Sequence, residues 1–380
     1  MPLDFEVIPE LGLATQNWEV RLGSPIGMII NIFKKATQEV KQIDLGYSEG
    51  TQADITLTLT NDGVRFYFCP NSQRLRKIEI FDLTKCILRY SGIPITSKAT
   101  SPTLSQIDSS FGATHPGEYC PHTACYLLTY RGIAFGFEER HPSPDAVVQS
   151  CSIFDGSVLP MAEAPHIPFR DVIHCERCEV GLDEHGTPDK LTFDLITKTA
   201  HEERAQEFTR VVRFGDFPQD VQTEIGCPDT VHYKSEDKMQ IHLGHKPSIN
   251  TDYFFNYFSL GVDLLFCGKT HQLKKFILHS NYPCHYDFSI YERCEFNIPI
   301  SATTLRPELD AEELIIDPRT SWNEIQGRVC EPISKPVSLR RTSSANNTNP
   351  WGSTKCYSFG NMVYEVMPSD QIATVIIFNK

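Results

Sequence analysis

Gly63-Val64-Arg65-Phe66-Tyr67-Phe68-Cys69, followed by Leu75-Arg76-Lys77-Ile78, aligns without a gap with Gly261-Val262-Asp263-Leu264-Leu265-Phe266-Cys267, followed by Leu273-Lys274-Lys275-Phe276. Self-similarity of this kind points to a repeated supersecondary unit. A third copy of its start is Gly132-Ile133-Ala134-Phe135-Gly136-Phe137, and a degenerate fourth runs from Gly360 to Val366. Each copy has a turn glycine and then a strand that alternates large apolar residues. In the first, Ile55, Leu57 and Leu59 alternate, Asn61-Asp62-Gly63 turns the chain, and Val64, Phe66 and Phe68 return, which predicts a hairpin.

A short helical stripe with a cap precedes every copy. Ser24-Pro25 opens Ile26, Ile29, Ile30 and Phe33; Ser101-Pro102 opens Leu104, Ile107 and Phe111; Asp216 precedes Phe217, Val221 and Ile225. Ser321 and Glu324 form a capping box ahead of Trp322, Ile325 and Val329. The pattern therefore predicts an α+β protein of about four tandem units, each a helix plus an antiparallel meander. One helix cannot cover both faces of its sheet, so the units are expected to pack in pairs. The N-terminal lobe is expected at 1–150 and the C-terminal lobe at 213–380, with a β-rich connector at 151–212 turning at Gly186-Thr187-Pro188.

The 380 residues carry 35 Lys+Arg against 48 Asp+Glu, a formal net charge of −13. Phosphate backbones repel such a chain, so nucleic acid is not an expected partner. An anionic membrane surface would have to meet a local basic patch or be reached through another protein. The richest apolar stretch, Tyr253 to Phe266, is interrupted by Asn256, Ser259 and Asp263, which is no membrane span. The start Met1-Pro2-Leu3-Asp4 carries no leader or myristoylation signal, and the 13 cysteines are scattered singly. The expectation is reduced thiols in the cytoplasm.

Four constellations could carry chemistry or binding. His174-Cys175-Glu176-Arg177-Cys178 is a Cys-x-x-Cys, but the residues around it alternate like a strand, which is expected to point the two thiols to opposite faces or hold them far apart. His279, Cys284, His285 and Asp287 place thiol and imidazole side by side as an activated nucleophile requires. No glycine-rich phosphate loop accompanies either. Six basic residues, Arg65, Arg74, Arg76, Lys77, Lys85 and Arg89, face only Glu79 and Asp82 between Arg65 and Arg89; with Lys274 and Lys275 they form a candidate phosphate or lipid patch. Arg340-Arg341-Thr342-Ser343 has the pattern a basophilic kinase needs, with Ser343 the candidate phosphorylation site.

Longer words carry a family resemblance: Gln106-Ile107-Asp108 through Phe111-Gly112-Ala113-Thr114-His115-Pro116-Gly117, Tyr233-Lys234-Ser235-Glu236-Asp237-Lys238-Met239, Asp252-Tyr253-Phe254-Phe255-Asn256-Tyr257-Phe258, His279-Ser280-Asn281-Tyr282-Pro283, and Asn346-Asn347-Thr348-Asn349-Pro350 with Gly352-Ser353-Thr354. They resemble the phagophore assembly factor family over nearly the whole chain. The resemblance implies a non-enzymatic scaffold without cofactors, which pairs with a WD-repeat β-propeller protein and is recruited to phosphoinositide-containing membranes at the forming autophagosome. It would sit in the cytoplasm and peripherally at the phagophore assembly site. The word-bearing loops are the expected partner surface, through Tyr233, Lys234, Glu236, Asp237, Lys238, Asn347, Asn349 and Trp351. Alternative expectations are a module that binds phosphoinositide directly, or an enzyme using Cys284 with His285 or zinc at Cys175 and Cys178.

Overall fold

Alternating apolar residues need a covered face, and this chain supplies it by stacking sheets. The computed structural model describes residues 2–48, 53–96, 100–121, 124–165, 173–198, 205–234, 251–300, 314–329, 335–339 and 353–379. The chain divides into two compact units, Met1–Pro168 and Phe169–Lys380.

In the first unit, β1 (Leu3–Ile8), β2 (Gly12–Ala14) and β3 (Glu19–Arg21) lead into α1 (Ile26–Lys35). A run of β4 (Asp44–Gly46), β5 (Ile55–Leu59), β6 (Val64–Phe68) and β7 (Leu75–Ile80) follows, then β8 (Cys86–Tyr90) and β9 (Ile93–Pro94). After α2 (Leu104–Phe111) come β10 (Glu118–Cys120), β11 (Cys125–Tyr130), β12 (Ile133–Phe137) and β13 (Ser150–Phe154). These strands make a five-stranded sheet ordered β3-β2-β1-β8-β9 and an eight-stranded sheet ordered β10-β11-β12-β13-β7-β6-β5-β4. A chain of rings, Phe5 to Trp18 at 5.8 Å, Trp18 to Phe33 at 5.4 Å and Phe33 to Phe66 at 5.3 Å, ties the small sheet through α1 to the large one. All four rings are buried, which makes them a principal source of the unit's stability.

The second unit begins with β14 (Ile173–Leu182), β15 (Pro188–Thr197), β16 (Gln206–Arg213) and α3 (Pro218–Ile225). It continues with β17 (Thr230–Tyr233), β18 (Tyr253–Tyr257), β19 (Val262–Phe266), β20 (Leu273–His279), β21 (Phe296–Ile300) and β22 (Leu314–Ile316). After α4 (Trp322–Arg328) come β23 (Val337–Leu339), β24 (Thr354–Phe359), β25 (Met362–Val366) and β26 (Ile372–Phe378). The sheets are ordered β16-β15-β14-β21-β22 and β17-β18-β19-β20-β26-β25-β24-β23. One core joins Phe193 of the small sheet, Phe266 and Phe276 of the large sheet, and Trp322 of α4.

The expectation of an α+β, helix-plus-meander architecture does not hold. Strand accounts for 46% of the described residues and helix for 12%, with the strands arranged as four sheets. The described α-helices run only seven to ten residues. Segments that show no helical or hairpin pattern pair over long distances instead: β1 lies parallel to β8, with Phe5 opposite Leu88, and β14 lies parallel to β21. Parallel pairing between remote segments leaves no local turn signature. The stretch 151–212, expected as a connector, is divided likewise: most of β13 falls in it and completes the first unit's large sheet, while β14, β15 and β16 build the second unit's small one.

Candidate functional site

The basic residues from Arg65 to Arg89 do not form one strip. Arg65, Arg76 and Lys77 stand on β6 and β7 of the large sheet, Arg74 lies between those strands in a bridge to Pro25, Lys85 lies between β7 and β8, and Arg89 stands on β8 of the small sheet. Carboxylates already engage many of them: Arg76 Nε donates to Asp54 at 2.9 Å, Arg89 pairs with Asp4 at 2.7 Å, Lys85 with Asp82 at 3.4 Å and Lys274 with Asp252 at 3.1 Å. Lys77 lies 3.9 Å from the centroid of Tyr67, while Lys275 is 6.0 Å from that of Phe378. Burial pulls the Lys77 ammonium below its ordinary range. Arg65 donates to Thr58 and Tyr67 and lies over Phe81. Such a surface presents ion pairs and stacked cations, and a lipid phosphate would have to displace them.

Cys175 and Cys178 correct the sequence expectation. The ladder of β14 on β15 slips between Cys175 and Arg177, and the extra residue of a bulge shifts the alternation by one. Both thiols consequently meet the same core, where Cys178 and Cys294 are buried and Cys175 packs against them. Burial pushes the Cys175 and Cys294 thiols up, and Cys178 adds to the effect on both, which disfavours thiolate chemistry. Among the described residues no group of three His, Cys, Asp or Glu is arranged to hold a metal ion.

The loop from Ser280 to Glu295 covers polar residues on the second unit's large sheet. Asp263 accepts from Asn256 Nδ2 at 2.7 Å and from Tyr291 Oη at 2.9 Å, and its other oxygen lies 3.0 Å from His279 Nε2. The His279 ring stacks on Tyr291 with centroids 3.7 Å apart. His285 Nε2 lies 3.4 Å from Glu365, which also accepts from Thr354 and Thr374. His285 thus turns to a carboxylate, while Cys284, at φ 71°, packs against the small apolar cluster of Tyr282, Met367 and Ala373. His279 and His285 thus form two buried carboxylate–histidine pairs, with Asp263 and Glu365. A charged residue in the otherwise apolar run Val262–Phe266 was the signal for one of them.

At the end of the same sheet lies a surface of another kind. All four residues of β17 are exposed, with Val231 at 45% and Tyr233 at 65%. Tyr233 leans on Tyr253 with centroids 5.6 Å apart, and Tyr253 stacks in turn on Phe266. Tyr253 Oη is 3.0 Å from His271 Nδ1. Val231, Tyr233, Thr251, Tyr253, Phe255, Gly268 and His271 line a groove of ≈ 360 Å³. On the other face Lys234 lies 5.5 Å from the Phe254 centroid. Tyr233 and Lys234 are therefore placed on an exposed aromatic edge, whose further members Val231, Phe255 and His271 no short motif announces. Glu236, Asp237, Lys238, Asn347, Asn349, Trp351 and Ser343 lie outside the described residues.

The sequence pattern of the family described as phagosome assembly factor 1 matches residues 16–378. The chain belongs to this family. It is 36% identical to a PHAF1 protein of Drosophila melanogaster over 99% of this chain and 94% of that protein. A PHAF1 protein of Arabidopsis thaliana is 33% identical over 86% of this chain and 81% of its own, and one of Caenorhabditis elegans is 28% identical over 99% and 94%. No solved structure matches. No described helix is long and apolar enough to cross a membrane. In this family member the exposed groove beside β17 and the covered carboxylate–histidine pairs are the two prominent features of the second unit.

Proposed function

We propose that this chain is a non-enzymatic adaptor in phagosome assembly, which holds a WD-repeat β-propeller protein and reaches phosphoinositide-bearing membranes through it. Membership of the phagosome assembly factor 1 family supports the setting, and the family resemblance supplies the propeller partner. The observation that carries the adaptor role is the aromatic edge at Val231 and Tyr233, an apolar surface rimmed by polar groups of the type that marks protein contacts. Delivery by a partner fits the ion-paired state of Arg76, Lys85, Arg89 and Lys274 better than direct lipid capture. In this reading the chain works in the cytoplasm and peripherally at the assembly site, and its buried histidine pairs serve stability rather than catalysis.

Flotation of phosphoinositide vesicles tests the reading. The chain should float with the propeller protein and stay at the bottom without it; flotation of the chain alone replaces the adaptor by a direct lipid binder. Charge reversal across Tyr233 to Lys238 and Asn346 to Thr354 should release the propeller in a pull-down.

A further inference from the structure

We propose that β17 is a strand-addition site, at which an acidic, extended segment of another protein joins the large sheet of the second unit. The proposal deepens the adaptor reading and rests on it only in requiring a protein partner. β17 pairs with β18 in the register Thr230 to Asn256, Val231 to Phe255, His232 to Phe254 and Tyr233 to Tyr253. Among the described residues no strand pairs with its other side. Lys234 N donates to Asp252 O at 3.0 Å, and this sets the phase of the antiparallel ladder. Thr230 and His232 turn their backbone groups toward β18, so Val231 and Tyr233 turn theirs outward. Two amides and two carbonyls are thereby offered at the spacing that an incoming strand presents.

Edge strands normally defend themselves with charge or cover. In the first unit, β10 at the corresponding sheet end opens on Glu118, and the Arg140 guanidinium lies 5.2 Å from the Tyr119 centroid. The β17 edge is defended by neither device on the face where Val231 and Tyr233 stand exposed over the ≈ 360 Å³ groove. Alternate side chains of an added strand would enter that groove beside Tyr233, which sets a preference for branched apolar or aromatic residues at every second position.

Charge decides what the remaining positions carry. The segments at this end of the sheet, residues 230–234, 251–255 and 266–275, hold the four lysines Lys234, Lys269, Lys274 and Lys275 against the one carboxylate of Asp252. The chain as a whole has a net charge of −13. This corner is therefore a positive site on a negative molecule, which steers an acidic segment to the edge and turns a basic one away. A second copy of this chain would bring the same lysines against themselves.

The test uses the full chain and an acetylated peptide alternating glutamate and valine. Amide exchange at Val231 and Tyr233 should slow by at least about tenfold at saturation, and affinity should fall when salt rises from ~50 mM to ~500 mM. A lysine–valine peptide and a peptide N-methylated at alternate residues should each bind at least about tenfold more weakly. Tyr233→Lys should weaken binding by a similar factor; Val231→Pro, accepted only with an unchanged unfolding temperature, is the second variant. The proposal falls if these amides are already protected in the free chain, if the N-methylated peptide binds equally, or if the edge pairs chain to chain and Tyr233→Lys converts a dimer to a monomer. Wild-type chain that retains the propeller protein but ignores the peptide sinks the strand-addition site and spares the adaptor. Chain that binds the peptide but not the propeller does the reverse.

Discussion

Asp263 and Arg65 are each the second residue of a strand, in β19 and β6, and each follows a valine after a turn glycine. Their surroundings make them opposites. Asp263 is 6% exposed and held by Asn256, His279 and Tyr291, whereas Arg65 keeps part of its side chain in water. Removing one partner of a buried network strands the others, so Asp263→Ala should cost ~3–5 kcal/mol in urea unfolding. Arg65→Ala should cost no more than ~1 kcal/mol. Asp252 gives a pH test. Burial pushes its carboxyl up, but the Gly268 amide and the Lys274 ammonium outweigh that and hold it below the ordinary value. Its contribution is therefore complete above the unfolded-state value of about 3.9 and fades as pH falls through the lower folded value. Asp252→Asn should lower stability by at most ~1 kcal/mol near neutrality, since the pair with Lys274 is partly exposed, and in thermal melts the gap to the parent should close as pH falls below the unfolded-state carboxyl value. Sequence made the Cys175 and Cys178 spacing visible, but not the bulge at Glu176 that turns both thiols into one core. It made His279 and His285 visible, but not Asp263 and Glu365 as their partners, because only the covering loop removes water from that face.

Among elements, the tight turns discriminate most sharply. Gly261 has φ +69°, and an added Cβ would lie 2.5 Å from Glu292 O and 2.6 Å from Cys294 N, so the substitution must move backbone. Gly360 has φ +57° with nothing within 4 Å. Gly360→Ala should then cost only the left-handed penalty of ~1–2 kcal/mol, and Gly261→Ala more than ~3 kcal/mol, read as a difference in denaturation midpoints. At the other kind of terminus, Ser321 Oγ accepts from Glu324 N at 3.3 Å to cap α4, and Ser321→Ala should cost ~1 kcal/mol. The hairpin and the α4 cap were legible because their signals are local, Ile55, Leu57 and Leu59 alternating and Ser321 preceding an apolar stripe, whereas the caps expected at Ser24, Ser101 and Asp216 fall instead at Pro25, Thr103 and Phe217. The two five-stranded sheets were not, since β1 meets β8 some 80 residues later and in parallel. The open side of β17 was also hidden, for edge position is a property of the whole sheet and not of Thr-Val-His-Tyr.

At the scale of the molecule, every strand pairing among the described residues lies inside Met1–Pro168 or inside Phe169–Lys380. Each unit expressed separately should therefore give its own cooperative thermal transition, checked by calorimetry on the two fragments. The net charge of −13 and the lysine-rich end of the large sheet together predict association that weakens steeply with salt, at one corner and not over the surface. The strand order has a further consequence for synthesis. In the second unit the middle of the large sheet is the pair β20 and β26, and β26 spans Ile372–Phe378. A ribosome that has completed β20 at His279 must add roughly 90 more residues before that partner exists, about 5–20 s at ordinary elongation rates. Throughout that interval the half-sheet of β17, β18, β19 and β20 carries β20, its future inner strand, with one side bare. The newborn second unit is thus a ready client for holding chaperones, and a stop codon just before Ile372 would leave it one for good.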